Sequence, residues 1–324
     1  MNVVKKIFDT SRSDQKIAAN IYYSSSPAIS SDKKKRLTLL LAHANGFHKE
    51  LWEPALTRLF SYDAKDWLID QAIALDSYNH GDSAVLNRPS IEAEETSPWF
   101  MNARDILAVI AQLGQPENIV GVGHSWGAVS LLLSEIMSPL TFAALIITDP
   151  VLYSKPIWNK KLLEITMKRR CEWPDVGVAK AYFDPHPFFG TWDKRIRELH
   201  IKYGLEPVSK SPAGQKLMLK CRPVNEAAVY AGSYHASPHA TDNLWKVQCP
   251  TAFLTGEKSD LSPEDYIKGI TSPMPDCQHV VMKSASHLLV FEDPDQTADC
   301  YADFLDSFAP KLMIKNPAVP PANL

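Results

Sequence analysis

The stretch GVGHSWGAVS, residues 121–130, constrains the fold more than any other part of this sequence. Its centre, Gly123-His124-Ser125-Trp126-Gly127, is a Gly-x-Ser-x-Gly match. The residues before it, Asn118 to Val122, read as a short buried strand, and the apolar, helix-forming Ala128 to Met137 as a helix. A serine between strand and helix is forced onto a tight turn that side chains at its near neighbours would obstruct. The turn lifts the hydroxyl clear of the sheet and sets it beside a helix N-terminus, where backbone N–H groups and the helix dipole favour developing negative charge. At ~7% glycine usage the bare pattern arises by chance in roughly one chain in ten of this length. Its weight therefore comes from context, which must also supply a base, an acid and a second anion-binding N–H.

The rest of the chain supplies the context. Residues 3–10 and 15–24 alternate apolar and polar, as an antiparallel hairpin at a sheet edge does. Leu37 to Ala42 is a continuous apolar run, the mark of a strand covered on both faces, and it leads into His43-Ala44-Asn45-Gly46-Phe47. Leu51 to Phe60 reads as a helix and Ala72 to Leu75 as a strand. Met101 to Leu113 is an amphipathic helix stopped by Gly114 and Pro116. After the serine turn, Phe142 to Thr148 is another buried strand, ending at Asp149-Pro150.

From Val151 to Lys246 the rhythm breaks. Helix-like pieces (Trp158–Arg170, Asp193–Tyr203, Asn225–Tyr234) stand among prolines and aromatics, with no strand alternation, which predicts an inserted helical cap. Alternation resumes with a strand at Thr251–Thr255, a helix near Pro263–Ile270, the strand His279–Met282 and a final helix at Thr297–Phe308. The reading is an α/β fold with a mostly parallel sheet: a core of residues 1–150 and 247–310, a cap of 151–246, and an extended tail of 311–324.

Composition narrows the function. Net charge is −3 from 34 basic and 37 acidic residues, which does not suggest nucleic acid or an anionic membrane as partner. The run Lys33-Lys34-Lys35-Arg36 reads as a solvated hairpin tip, and Lys168-Arg169-Arg170 as a solvated helix face or, alternatively, a contact for an anionic group. Five scattered cysteines with no Cys-x-x-Cys argue for reduced thiols and against a disulfide framework or zinc site. The N-terminus lacks the apolar core of a secretory signal, and no apolar run reaches the ~18 residues of a membrane span. No motif calls for a metal or cofactor.

A serine hydroxyl needs a base in hydrogen-bond reach, and the base needs a carboxylate to fix its tautomer. In the family of folds that this serine turn resembles, the α/β-hydrolases, the order along the chain is serine, acid, histidine. His287 follows the last strand and is the expected base; His279 begins that strand and lies at its wrong end. Two acids are candidates. Asp260, in Gly256-Glu-Lys-Ser-Asp260, follows the strand after the cap and is favoured; Asp149 ends the strand before the cap and is the alternative. The expected oxyanion donors are the Trp126 N–H and the Asn45 N–H, with Phe47 as the fallback for the second. His43 and His124 read as buried structural histidines, and His80 and Asp76 as residues that pin the loop after the fourth strand.

This set resembles the α/β-hydrolase superfamily from about Ile7 to Phe308. The family's His-Gly-x oxyanion loop appears as His43-Ala44-Asn45, and its D-x-x-G-x-G-x-S loop as Asp76 to Ser83. The departures are Ala44 and Asn79, each in place of a glycine. The resemblance implies an α/β-hydrolase fold: a mostly parallel eight-stranded sheet flanked by helices, with a helical cap inserted after strand 6. Ser125 separates the chain from the haloalkane dehalogenases and soluble epoxide hydrolases, whose nucleophile is an aspartate. HANGFHKELW, NHGDS, GEKSD and the aromatic cap look most like fungal hydrolases of the peroxisomal lipase and toxin-biosynthesis type.

The implied function is a serine hydrolase, esterase- or lipase-like, that cleaves a carboxylic ester of an apolar acyl group through an acyl-enzyme. A thioesterase or a C–C bond hydrolase uses the same parts, and a binder of a small apolar ligand is the non-enzymatic alternative. The cap carries twelve of the chain's 31 aromatics, an excess that suits an apolar acyl pocket over Ser125. The ending Ala322-Asn323-Leu324 is similar to the small–polar–leucine peroxisomal signal, which implies an import receptor as partner and peroxisomal residence, with the cytoplasm as the alternative.

Overall fold

The computed structural model describes residues 1–12, 14–25, 34–91, 95–114, 116–211 and 214–312. The first half of the chain lays down six strands: β1 (Asn2–Asp9), β2 (Lys16–Tyr23), β3 (Lys35–Ala42), β4 (Trp67–Leu75), β5 (Ile119–His124) and β6 (Ala144–Thr148). Helices α1 (Glu53–Leu59), α2 (Gly81–Leu86), α3 (Arg88–Ile91), α4 (Trp99–Gln112) and α5 (Trp126–Met137) connect them. After β6 the chain leaves the sheet. It forms α6 (Lys160–Met167), β7 (Glu172–Trp173), α7 (Val176–Phe183), α8 (Lys194–Tyr203), β8 (Leu205–Ser211), β9 (Gly214–Leu219) and the long α9 (Pro223–Asp242). It returns as β10 (Thr251–Gly256), α10 (Glu264–Thr271), β11 (Cys277–Met282), α11 (Leu289–Glu292) and α12 (Pro294–Phe308).

The eight-stranded sheet runs β1-β2-β4-β3-β5-β6-β10-β11. β1 and β2 pair antiparallel, as do β2 and β4; every other pairing in this sheet is parallel. This is the α/β-hydrolase fold expected from the sequence, with an insertion after β6. The central strands are apolar throughout because both faces are covered. Along β3, Leu37, Leu39 and Leu41 turn to one face while Leu40 and Ala42 turn to the other. The first face is covered by α1 and α12 through Leu56, Tyr301 and Leu305, the second by α4 and α5 through Ile106, Val109 and Leu131. β1, at the edge, has only Phe8 buried.

Three expectations need correction. The insertion is not purely helical: β7, β9 and β8 form a three-stranded antiparallel sheet beside the cap helices. Lys35 and Arg36 are not a solvated tip but the start of β3. Lys35 donates to the Leu312 carbonyl (2.7 Å) and Arg36 pairs with Asp70. Arg169 is not on a solvated face, as shown below. Lys33 and the Ala322-Asn323-Leu324 ending lie outside the described residues. The five cysteines are free thiols. Among the described residues no helix is long and apolar enough to cross a membrane.

Candidate active site

Parallel strands deliver their following loops to one edge of a sheet, and here the loops after β3, β5, β6, β10 and β11 meet at the carboxyl edge. Ser125 stands between β5 and α5 with φ +57° and ψ −119°, a conformation that costs a non-glycine residue about 1–3 kcal/mol. The turn is held by the Ser125 N–H donating to the Thr148 carbonyl (2.9 Å) and by close packing around its glycines. A Cβ on Gly127 would lie 2.3 Å from the Ala42 carbonyl oxygen, and one on Gly123 would lie 2.5 Å from the Ala128 Cα. The helix start is therefore pressed against the ends of β3 and β5 with no room for side chains. That is the local reason the motif needs both glycines.

His287 lies on the loop after β11, and its Nε2 is 3.0 Å from the Ser125 Oγ. Its carbonyl accepts a hydrogen bond from His124 Nε2–H (2.8 Å), and the following turn is fixed by Ser286 donating from its N–H and hydroxyl to Glu292 (2.9 and 2.6 Å). Burial and the neighbouring His287 lower the pKa of His124 to about 3, so His124 is a neutral prop.

The carboxylate at His287 Nδ1 is Asp149, at 2.7 Å, and not Asp260. Asp149 is fully buried at the end of β6, with φ +41°. Besides His287 it accepts from the Gly256 N–H (2.8 Å) and the Ser259 hydroxyl (2.6 Å). Asp260 is exposed and borders the cavity in front of the site. β6 and β10 are neighbours in register, Thr148 beside Leu254, so both loops reach the same place. The loop after β10 turns its backbone and Ser259 inward as donors, and that leaves Asp260 pointing away. Of the favoured trio, then, the structure brings Ser125 and His287 together and leaves Asp260 outside; the alternative acid takes its place.

The loop after β3 arrives beside Ser125 on a bed of neutral histidines. His80 accepts the Gly46 N–H at Nε2 (2.9 Å) and donates from Nδ1 to Asn79 (2.7 Å). His43 accepts the Ser77 N–H at Nε2 (3.1 Å) and donates to the Ala44 carbonyl (2.8 Å). Burial pushes the pKa of both down, His80 furthest, as their acceptor roles require. Below them Lys49 ties Asp76 (2.6 Å), Asp82 (2.8 Å) and Glu50 (2.9 Å) into one buried knot. The backbone N–H groups of Asn45 and Trp126 have no hydrogen-bond partner among the described residues, and both residues border the cavity that Ser125 faces. Phe47, the fallback donor, gives its N–H to the Ala44 carbonyl (3.3 Å), and its ring packs on Phe291 and Trp192.

That cavity has a volume of about 770 Å³, within the range of small-molecule sites. Its walls are largely apolar, with Trp99, Tyr153, Trp158, Leu162, Phe188 and Val229 among them. Most of the cap's other aromatics pack on one another instead: Phe183, Phe189 and Trp192 surround the buried His200. Polar groups interrupt the wall, Lys258, Asp260 and Glu292 among them, and beside the loop after β3 Arg169 pairs with the buried Glu226 of α9. No signal in the run Lys168-Arg169-Arg170 revealed that pairing, because its partner lies far along the chain.

A model of the alpha/beta hydrolase family matches residues 39–300. The chain is 25% identical over 298 residues to the peroxisomal membrane protein LPX1 of Saccharomyces cerevisiae, spanning 85% of this chain and 76% of that protein. The crystal structure of the peroxisomal alpha-beta-hydrolase Lpx1 from that yeast superposes with a TM-score of 0.83 at 22% identity, over 100% of this chain and 93% of the other, which shows the fold. The abhydrolase domain-containing protein ACTT2-1 of Alternaria alternata is 25% identical over 235 residues, 58% of this chain and 83% of that protein. The type I acyl-CoA thioesterase mpaH of Penicillium brevicompactum is 29% identical over 128 residues, 37% of this chain and 28% of that protein.

Proposed function

From a chain that belongs to the alpha/beta hydrolase family, we propose a serine hydrolase that cleaves carboxylic esters or thioesters of an apolar acyl group through an acyl-enzyme. The observation that carries this reading is the continuous hydrogen-bonded line from Ser125 Oγ through His287 to Asp149, at 3.0 and 2.7 Å. A hydroxyl acid–base relay of this kind has no use in a passive binder.

In the proposed reaction Ser125 Oγ attacks the substrate carbonyl carbon while His287 Nε2 takes its proton. Asp149 accepts from Nδ1–H, which holds the ring in the tautomer that leaves Nε2 free and stabilises the imidazolium that forms. The negative charge moves to the carbonyl oxygen, which the N–H groups of Trp126 and Asn45 receive. Collapse of the tetrahedral intermediate breaks the bond to the leaving group, which takes the proton from His287. Water then repeats the sequence on the acyl-enzyme, its proton passing to His287 and back to Ser125, and the carboxylic acid is released. The glycine-flanked turn and the buried histidine bed hold the donors rigid, so little reorganisation opposes the charge shift.

The experiment is labelling of the purified protein with a fluorophosphonate, followed by an ester and thioester panel. Wild type labels and Ser125→Ala does not. A well-folded wild type that stays unlabelled overturns the reading and leaves a ligand binder. The partial likeness to a thioesterase supports a thioester leaving group, the same chemistry serves an ester, and the panel decides between them. We also propose peroxisomal residence, supported by the similarity to the yeast peroxisomal relative; a tagged full-length chain that stays diffuse in cells overturns it.

A further inference from the structure

Next to the oxyanion loop the apolar cavity wall is broken by a paired cation and buried carboxylate, Arg169 and Glu226, apart from Lys258, Asp260 and Glu292, which also line the cavity. Glu226 and Tyr230 stand four residues apart on α9, so they share one face of the helix, and both border the cavity with Arg169. The Glu226 carboxyl is pressed on the oxyanion loop: a Cβ on Gly46 would lie 3.1 Å from it, and the Glu226 backbone carbonyl accepts from the Asn45 side-chain amide (3.0 Å). Glu226 is ion-paired to Arg169. The Arg169 side chain has no other hydrogen bond or ion pair among the described residues; its Nε is buried without a partner, yet about a quarter of the side chain (26%) stays accessible.

A buried ion pair is retained at a cost unless further hydrogen bonds satisfy its remaining donors and acceptors. A pocket meant only for hydrocarbon would be better lined here by apolar side chains. The group that completes this patch must accept from a guanidinium N–H and donate to a carboxylate at once. A hydroxyl does both. A second carboxylate would meet the charge of Glu226, and a methyl or methylene would leave both charges desolvated.

We propose that Arg169 and Glu226 form a specificity subsite that recognises a hydroxyl on the acyl part of the substrate, making the preferred substrate an ester or thioester of a hydroxylated apolar acid. The inference rests on the proposed hydrolase function for its choice of the acyl side. The acyl group stays bonded to Ser125 through both half-reactions, whereas the leaving group departs after the first, so a subsite fixed to the oxyanion loop acts longest on the acyl group.

The test uses full-length protein and two readouts. The first is kcat/KM for p-nitrophenyl esters of one medium-length acid: unsubstituted, hydroxylated at successive carbons, and carboxyl-terminated. The second is the affinity of Ser125→Ala for the corresponding methyl esters, by calorimetry. At least one hydroxylated isomer should be favoured tenfold or more in both, since a site built to bond a hydroxyl discriminates strongly against analogues lacking it. The double variant R169M/E226L replaces the pair by apolar groups of similar volume, a change that preserves folding more surely than removing one partner. In it the ratio of hydroxylated to unsubstituted should fall towards one. Equal affinity of Ser125→Ala for all methyl esters, a preference for the carboxyl-terminated one, or an unchanged ratio in the double variant overturns the inference. A wild type that turns over no ester while Ser125→Ala still prefers the hydroxylated ligand sinks the hydrolase reading and leaves the subsite standing.

Discussion

At the carboxyl edge of the sheet, Ser125, Asp149 and His287 are each fixed through the main chain. Ser125 and Asp149 hold positive φ, their N–H groups are bonded to Thr148 and Leu254 on neighbouring strands, and the His287 carbonyl is tied to His124. In the cap, the buried residues are fixed mainly by side chains. Phe183, Phe189, Trp192 and His200 pack ring to ring, and the indole N–H groups of Trp173 and Trp192 are buried without partners. Backbone anchoring places each of these groups relative to the sheet and its loops. Ring packing gives a wall whose shape depends on each ring. The difference matches the division of labour proposed above, in which chemistry sits on the sheet and substrate choice on the cap.

The largest expected effect tests the sheet edge. Asp149→Asn should lower kcat by on the order of 10⁴, because an amide at Nδ1 no longer enforces the productive tautomer of His287. Asp260→Asn should change kcat only a few-fold, since its side chain is exposed at the cavity rim. Steady-state kinetics on one activated ester compares the two. The reverse ranking would mean that the loop after β10 rearranges on binding substrate and that the observed Asp149 contact is not the working one.

That ranking also shows how far the sequence could be read. The buried strands, the elbow and His287 were legible because each leaves a local signature: continuous apolar runs, flanking glycines, a histidine just past the last strand. The carboxylate that meets His287 was not, because Asp149 and Asp260 both follow strands that end side by side. Only the inward turn of Gly256 and Ser259 chooses between them, and that turn has no local signature. The cap sheet escaped for a related reason. β8 and β9 interrupt their apolar residues with lysine, glutamine, serine and proline, and their pairing with each other, and of β9 with β7, makes them strands. Arg169 looked solvated because it sits in a basic run, while the carboxylate that pairs with it comes from α9.

A smaller effect tests how firmly the cap is joined to the sheet. Trp192 packs edge-on against Phe47 of the loop after β3 (5.4 Å between centroids) and is tilted against Phe291, which follows His287 (5.0 Å). Trp192→Ala should destabilise the protein by about 3–5 kcal/mol, as removal of a large buried aromatic does. Denaturant titration measures the loss. The transition should remain single, because the rings around His200 belong to the same apolar cluster as Leu56 and Tyr301 of the sheet face. Two separated transitions would show that cap and sheet unfold independently.

The smallest effect concerns the neutral histidine beneath His287. The folded pKa of His124, about 3, lies below the ordinary histidine value of 6.5, so the unfolded chain binds its proton first as pH falls. The stability that this group contributes is complete above pH 6.5 and declines from there towards pH 3. The slope is about 1.4 kcal/mol per pH unit, and so about 2 kcal/mol between pH 6.5 and 5. His124→Gln, which keeps a donor for the His287 carbonyl, should flatten the pH dependence of stability over that interval by that amount. His200 in the cap is also buried and shifted well below its ordinary value, so His200→Gln should flatten the same interval. The two variants separate in activity. His124 supports the loop that carries His287, the proposed base, so its replacement should slow turnover at pH 7 as well, whereas His200→Gln should alter acid stability with little change in kcat. Equal kinetic losses in the two variants would mean that the cap helps to place His287, and would erase the distinction between an edge fixed by backbone and a cap fixed by rings.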